Sequence, residues 1–474
     1  MKKIYIYSLM ILFGFSLTAQ TTSQNYIKKT SYRTQTSSGS VSNSQKIESV
    51  TYMDGLGRLS QSVGVRAGGT SKDLITYATY DTYGRQIKEY LPYVDGSSTG
   101  AFRTGDIEYS TRYYYNGEFG DDFNGVSSAN PYNEKLFESS PLGRPKKQAA
   151  PGYDWRLGGG HEIEMDYSTN SSSEVRYYHV TFSSGNSEAP LLSGGSSYYG
   201  AGELQKIITR DENHTSGTRH TTEEFIDKQG RVILKRTYAN SDNNGDGDTS
   251  DSGESNAKHD TYYIYDKFGN LTFVLPPKTH SENGIPTTTE RNELCYQYKY
   301  DRRNRQIEKK LPGKDWEYII YNNLDQPVMT QDAIQRSKNE WLFTKYDAIG
   351  RVAYTGLYKS STTKTRTYLQ SLVENGNYSS EYVSRSSLNT YAGTAVYYDN
   401  STIPSGIEEV YTINYYDSYD NMNIGFTVPN STIFGKAIKK GTGTRGLTTV
   451  TKKRVLGTSN WITTAMGYDE KGRL

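Results

Sequence analysis

The stretch Ser241-Asp242-Asn243-Asn244-Gly245-Asp246-Gly247-Asp248 has the residue types and spacing of an oxygen-donor site. Asp242, Asn244 and Asp246 fall at positions 1, 3 and 5 of a calcium loop, Gly247 at its turn and Asp248 at position 7. Position 12 is Gly253 rather than glutamate, Glu254 comes one residue late, and no helical periodicity flanks the segment. Two readings stay open: a weak calcium site, or a solvated Asn/Asp/Gly insertion between strands. Other chemistry is sparse. The six histidines (His161, His179, His214, His220, His259 and His280) make no His-Glu-x-x-His pair. No Gly-x-Ser-x-Gly elbow or Gly-x-x-x-x-Gly-Lys phosphate loop occurs. Gly441-Thr442-Gly443-Thr444-Arg445-Gly446 lacks a surrounding βαβ pattern and reads as a loop. Cys295 is alone, which excludes an internal disulfide framework and a zinc site built on several cysteines. The expectation is a non-enzymatic protein with no cofactor beyond the calcium candidate.

One phrase recurs. It is Tyr80-Asp81-Thr82-Tyr83-Gly84-Arg85, Tyr346-Asp347-Ala348-Ile349-Gly350-Arg351 and Tyr468-Asp469-Glu470-Lys471-Gly472-Arg473. Looser copies start at Tyr52, Ile226, Tyr265, Tyr300, Tyr321 and Tyr416. The phrase has the logic of a hairpin turn. The aspartate accepts from the backbone N–H two residues on, and the glycine supplies φ > 0 for a type I turn closed by a bulge. Tyr and Arg then face each other across the strands. Flanking runs such as Thr261-Tyr262-Tyr263-Ile264-Tyr265 and Asn270-Leu271-Thr272-Phe273-Val274-Leu275 suit strands. Asp81, Gly84, Arg85, Asp347, Gly350, Arg351, Asp469, Gly472 and Arg473 are therefore expected as structural turn residues. Steps between phrases of 27, 39, 35, 21 and 25 residues are too uneven for propeller blades of ~40–45.

Composition agrees. Only 34% of the 474 residues are hydrophobic, and 44 of them are tyrosines, which favour a pleated, half-buried surface. The expected fold is all-β: repeated hairpins in a spiralling sheet or partial shell, after an N-terminal β-rich domain. The balance of 54 Lys+Arg against 52 Asp+Glu gives no field to gather nucleic acid.

Met1-Lys2-Lys3, the apolar run Ile4 to Leu17 and the small residues before Gln20 have the form of a secretory signal cleaved after Ala19. The alternative, an N-terminal anchor, is short of the ~20 residues a spanning helix needs. Secretion or cell-surface display is expected, with no transmembrane segment after cleavage.

The repeated Tyr-Asp-x-x-Gly-Arg in a tyrosine-rich chain resembles the YD repeat of the Rhs family. Residues from about Gln45 to Asp166 also resemble a domain of unknown function found on such proteins. That likeness rests on Asp54-Gly55-Leu56-Gly57-Arg58, Leu91-Pro92-Tyr93, Ser140-Pro141-Leu142-Gly143-Arg144 and Gly152-Tyr153-Asp154-Trp155. The resemblance implies a hollow β-shell that encloses or presents a C-terminal effector. No Asp-Pro dipeptide is present, and the sequence stops one residue after Arg473. The family's closing core, its self-cleaving aspartates and the effector are thus expected to be missing, whether from a fragment or a truncated frame. The core and effector of the same polypeptide are the implied partner. A second reading is a carbohydrate- or surface-binding module using exposed tyrosines, with cell-surface glycans as partners. The expected organisation is a signal peptide (1–19), a polar leader (20–45), the N-terminal domain (46–185), a linker-rich segment (186–257) holding the acidic loop 241–254, and truncated YD repeats (258–474).

Overall fold

Alternation along the strands sets the architecture. In Lys46–Met53, Glu48, Val50 and Tyr52 point inward and are buried, while Ile47 points out and is exposed. The computed structural model describes residues 21–474 except 22, 35, 37–39, 124–127, 241–256, 280, 282–283, 421, 423–431 and 434–435. The leader through Ala19 and the calcium candidates Asp242, Asn244, Asp246 and Asp248 lie outside the described residues. The chain divides into two units, Met1–Asp166 with Thr209–Thr215 and Tyr167–Ile208 with Ser216–Leu474.

The first unit holds β1 (Asn25–Tyr32), β2 (Lys46–Met53), β3 (Leu59–Val65), β4 (Asp73–Tyr77), β5 (Lys88–Tyr90), β6 (Tyr93–Asp95), β7 (Tyr132–Phe137) and β8 (Pro145–Ala149), and β9 (Ile163–Thr169) begins in it. Strands β1-β2-β3-β4-β6 form one antiparallel sheet, with Val50 opposite Val63 and Tyr52 opposite Gln61. Strands β5, β7, β8 and β9 pair in series. Val50, Tyr52, Val63, Val65, Ile75, Tyr77 and Tyr93 make the core. Helix α1 (Ile107–Glu118) starts where Asp106 accepts the Tyr109 N–H at 3.0 Å.

The second unit contains the hairpin β10 (Arg176–Phe182)–β11 (Pro190–Tyr198), and β12 (Gln205–Arg210) begins in it. A long antiparallel series follows: β13 (Thr221–Ile226), β14 (Val232–Ala239), β15 (Ala257–Tyr265), β16 (Leu271–Leu275), β17 (Tyr296–Tyr300) and β18 (Gln306–Lys310). It continues through β19 (Glu317–Tyr321), β20 (Pro327–Gln331), β21 (Glu340–Tyr346) and β22 (Val352–Lys359). Short helices α2 (Thr288–Leu294) and α3 (Ala333–Ser337) lie in connections of this series. After β22 come helix α4 (Arg366–Glu374) and the hairpin β23 (Arg385–Tyr391)–β24 (Thr394–Tyr398). They form an insertion, because β22 pairs directly with β25 (Glu409–Tyr416). The short pair β26 (Thr432–Ile433)–β27 (Lys436–Ala437) precedes β28 (Thr448–Arg454), which pairs with β25 and with β29 (Trp461–Ala465).

The all-β architecture expected from the sequence is the one present. Three composition-based expectations need correction. The polar leader 20–45 contains β1, which pairs with β2 from Asn25↔Met53 to Tyr32↔Lys46. The Ser/Gly-rich run Pro190–Tyr198, inside the segment expected to be linker-rich, is strand β11. Its glycines serve packing: a Cβ on Gly195 would lie 2.5 Å from the Tyr178 ring. The division between units falls after Asp166 rather than 185, and segment 186–257 carries strands β11 to β14 rather than a linker.

Candidate functional site

The repeated turns share one geometry. At Asp81, one carboxylate oxygen accepts the N–H of Tyr83 at 2.9 Å and of Arg85 at 2.8 Å, and the other takes Arg85 Nε at 2.8 Å. At Asp347 the same bonds measure 3.0, 2.9 and 2.6 Å, and at Asp469 they measure 2.9, 2.9 and 2.7 Å. Asp54–Arg58, Asp227–Arg231 and Asp301–Arg305 repeat the pattern. The backbone closes each loop: Gly84 N–H donates to the Asp81 carbonyl and Asp81 N–H to the Arg85 carbonyl, both at 2.9 Å. That closure needs a left-handed residue at the fourth position, where Gly84, Gly350 and Gly472 have φ of 77°, 85° and 72°. Asn304 and Asp325 occupy the equivalent place at 60° and 62°, the residue types that tolerate it best.

Each turn is also tied to its neighbour. The guanidinium of Arg58 lies 4.1 Å from the Tyr80 ring centre, Arg231 4.7 Å from Tyr265, Arg305 4.7 Å from Tyr321 and Arg351 4.1 Å from Tyr416. Arg85 covers Phe137 instead, at 4.4 Å. The phrase tyrosines then reach back. The hydroxyls of Tyr300, Tyr321, Tyr346, Tyr416 and Tyr468 donate to the carbonyls of Leu271, Gln306, Pro327, Val352 and Thr448 at 2.7–3.0 Å. Every acceptor opens the strand leaving the preceding turn. Sequence spacing gave no sign of this fixed offset, because the partners are 15 to 64 residues apart.

Three copies and one related turn depart, the mildest being Asp266, where the Asn270 amide stands in for the arginine at 3.0 Å. Asn322 keeps the backbone bonds but holds Gln326 through its amide at 2.8 Å. In Ser140-Pro141-Leu142-Gly143-Arg144, Glu138 takes over the arginine at 2.8 Å, and the Arg144 guanidinium holds its carboxyl down to about 2. Asp417 forms no such turn. At φ 73° it accepts from Gly446 N–H at 2.6 Å and from Arg351 at 2.7 Å. The Gly441–Gly446 run serves this connection, Thr444 Oγ1 donating to the Asp417 carbonyl at 2.6 Å.

These side chains satisfy one another's hydrogen bonds within each turn. Burial would raise the Asp81 carboxyl, but its bonds to Arg85 and the Tyr83 N–H outweigh that and hold it below the carboxylate range. Cys295 is fully buried, and burial pushes its thiol up to about 12, well away from a reactive thiolate. Lys345 is buried in the second unit. Its ammonium donates to the carbonyls of Thr402 and Pro404, both at 2.8 Å, and to Asn400 Oδ1, clamping the insertion onto β21. Burial pushes it down to about 7, against the pull of Asp399. Among the described residues no group of three His, Cys, Asp or Glu side chains is placed to hold a metal. No helix among them is long and apolar enough to cross a membrane.

The sequence profile of a domain of unknown function, DUF6443, matches residues 25–169, which run from the start of β1 to the end of β9. No curated protein matches. Among solved structures the chain is similar to TcdB2-TccC3-Cdc42, at 14% identity and a TM-score of 0.40. It is similar also to TcdB2-TccC3-TEV (15%, 0.38) and to a Tc holotoxin pore of Photorhabdus luminescens (13%, 0.38). Each likeness covers 90% of this chain and 19% of the other, so the chain spans about a fifth of the length of those structures.

Proposed function

We propose that this chain is a secreted, non-enzymatic scaffold of the Rhs type, the N-terminal part of a β-shell that encloses or presents a C-terminal effector. The observation that carries the reading is the double tie between turns. Arg covers the next tyrosine in four places, and five tyrosine hydroxyls reach back to the preceding turn. Polar groups spent on joining one repeat to the next belong to a wall whose parts act together. The direct test is protection of a passenger. A small, protease-sensitive domain fused after Leu474 is expected to be digested by proteinase K much more slowly than the free passenger. Digestion at the free rate counts against the shell reading. N-terminal sequencing of the native product is expected to begin at Gln20.

A further inference from the structure

The hairpin β10–β11 and the turn after β13 border a cavity of about 530 Å3 in the second unit, lined by Tyr177, Tyr198, Tyr199, Glu203, Asp227 and Arg231. Lys228 and Gln229 also face it. The volume is within the ~300–1,000 Å3 typical of small-ligand sites. Tyr177 and Tyr199 stand edge to face, 5.2 Å apart at 82°, and make an aromatic corner. The rings are held in place: Tyr177 stacks on His179 at 5.4 Å, and Arg176 covers one side of Tyr198 at 5.0 Å. Tyr177 and Tyr198 are nonetheless 40% and 41% exposed, far more than core tyrosines such as Tyr262 at 2%.

Charge narrows the ligand. Asp227 and Arg231 neutralise each other in the turn latch, and the other side of Arg231 is taken by Tyr265. Glu203 and Lys228 cancel in formal charge, so the cavity offers no net field for a phosphate or another anion. One Glu203 oxygen is fixed by the Gly200 N–H at 2.7 Å, which orients the carboxylate as a hydrogen-bond acceptor. Burial pushes the Tyr199 hydroxyl up to about 12, keeping it a neutral donor. Flat aromatic faces beside charge-balanced polar groups suit a ligand with one apolar face and a rim of hydroxyls.

We propose that this cavity binds a neutral pyranose unit of a glycan, its C–H face against the tyrosine corner and its hydroxyls on Glu203, Gln229 and Lys228. The site stands independently of the shell reading. The test is a glycan array probed with the full chain, followed by titration calorimetry with the best neutral oligosaccharide. Tyr177→Ala is expected to weaken binding by at least about tenfold, and Glu203→Gln, at an exposed position, by a smaller factor with folding unchanged. If Tyr177→Ala fails to fold, Glu203→Gln carries the decision. Silence across the array, binding that Glu203→Gln and the folded Tyr177→Ala leave unchanged, or selective capture of peptides instead overturns the proposal.

Discussion

The turns at Asp347 and Asp469 contain the same internal bonds, yet they differ in what surrounds them. The Arg351 side chain is 21% exposed, lies under Tyr416 at 4.1 Å and pairs with Asp417 at 2.7 Å. Arg473 is 64% exposed, and among the described residues it pairs with Asp469 and has no ring over it. Turn shape is therefore local, written within six residues. Shielding is not local; it comes from the adjoining hairpin. A phrase by itself makes a turn, and only a neighbour shields it.

The largest expected contrast comes from removing the carboxylate. Asp347→Ala strips two N–H groups and a guanidinium of their acceptor where solvent is partly excluded, and should cost about 2 kcal/mol in urea unfolding. Asp469→Ala should shift the midpoint by less, because at this exposed turn water can replace part of what is lost. Equal losses at the two sites would mean that the neighbour contributes nothing. A smaller effect separates ring from hydroxyl. Tyr416→Phe keeps the face over Arg351 but loses the 2.9 Å bond to the Val352 carbonyl, for about 1 kcal/mol. Hydrogen exchange at amides of β22 and β25 is the readout, and unchanged protection there would assign the coupling to the ring alone.

The smallest effect is a titration. Arg473 holds the Asp469 carboxyl down to about 2, below its ordinary value of 3.8. Because the folded value is depressed, the turn gains stability above the ordinary carboxylate value and loses it as pH falls toward 2. NMR of the side-chain carboxyl should show this midpoint, and Arg473→Ala should return it most of the way. A midpoint near 3.8 in the unaltered chain would mean that the exposed pair is open in solution.

Much of the fold was legible because its signal is short-range. Tyr-Asp-x-x-Gly-Arg names a turn through the bonds Asp81 and Asp347 make to residues two and four places on. Period-two alternation in runs such as Thr261 to Tyr265 named the strands. What escaped was long-range. Composition hid β11, since Ser and Gly in Pro190–Tyr198 signal a loop until Tyr178 is seen packed on Gly195. The Tyr177–Tyr199 corner was invisible for the same reason: it joins β10 to the residue just after β11, across a register no local motif dictates. The copy at Asp417 misled because its first two residues match while its ladder resumes only at Thr448.

That resumption, and the direct pairing of β22 with β25 across the insertion, separate the rungs of the ladder from the connections between them. A rung is defined by its two strands, so the chain between rungs is free in length. Closing a longer excursion costs only slowly more, about 0.6 kcal/mol for each doubling of a flexible connection. Residues 360–408 exploit this. They make a detour that leaves the ladder in register and is held to the sheet by Lys345, by the Gln370–Tyr321 and Tyr398–Asn414 hydrogen bonds, and by Leu369, Val373 and Val396 in the shared core. Such a ladder keeps its register whatever the length of chain between its rungs.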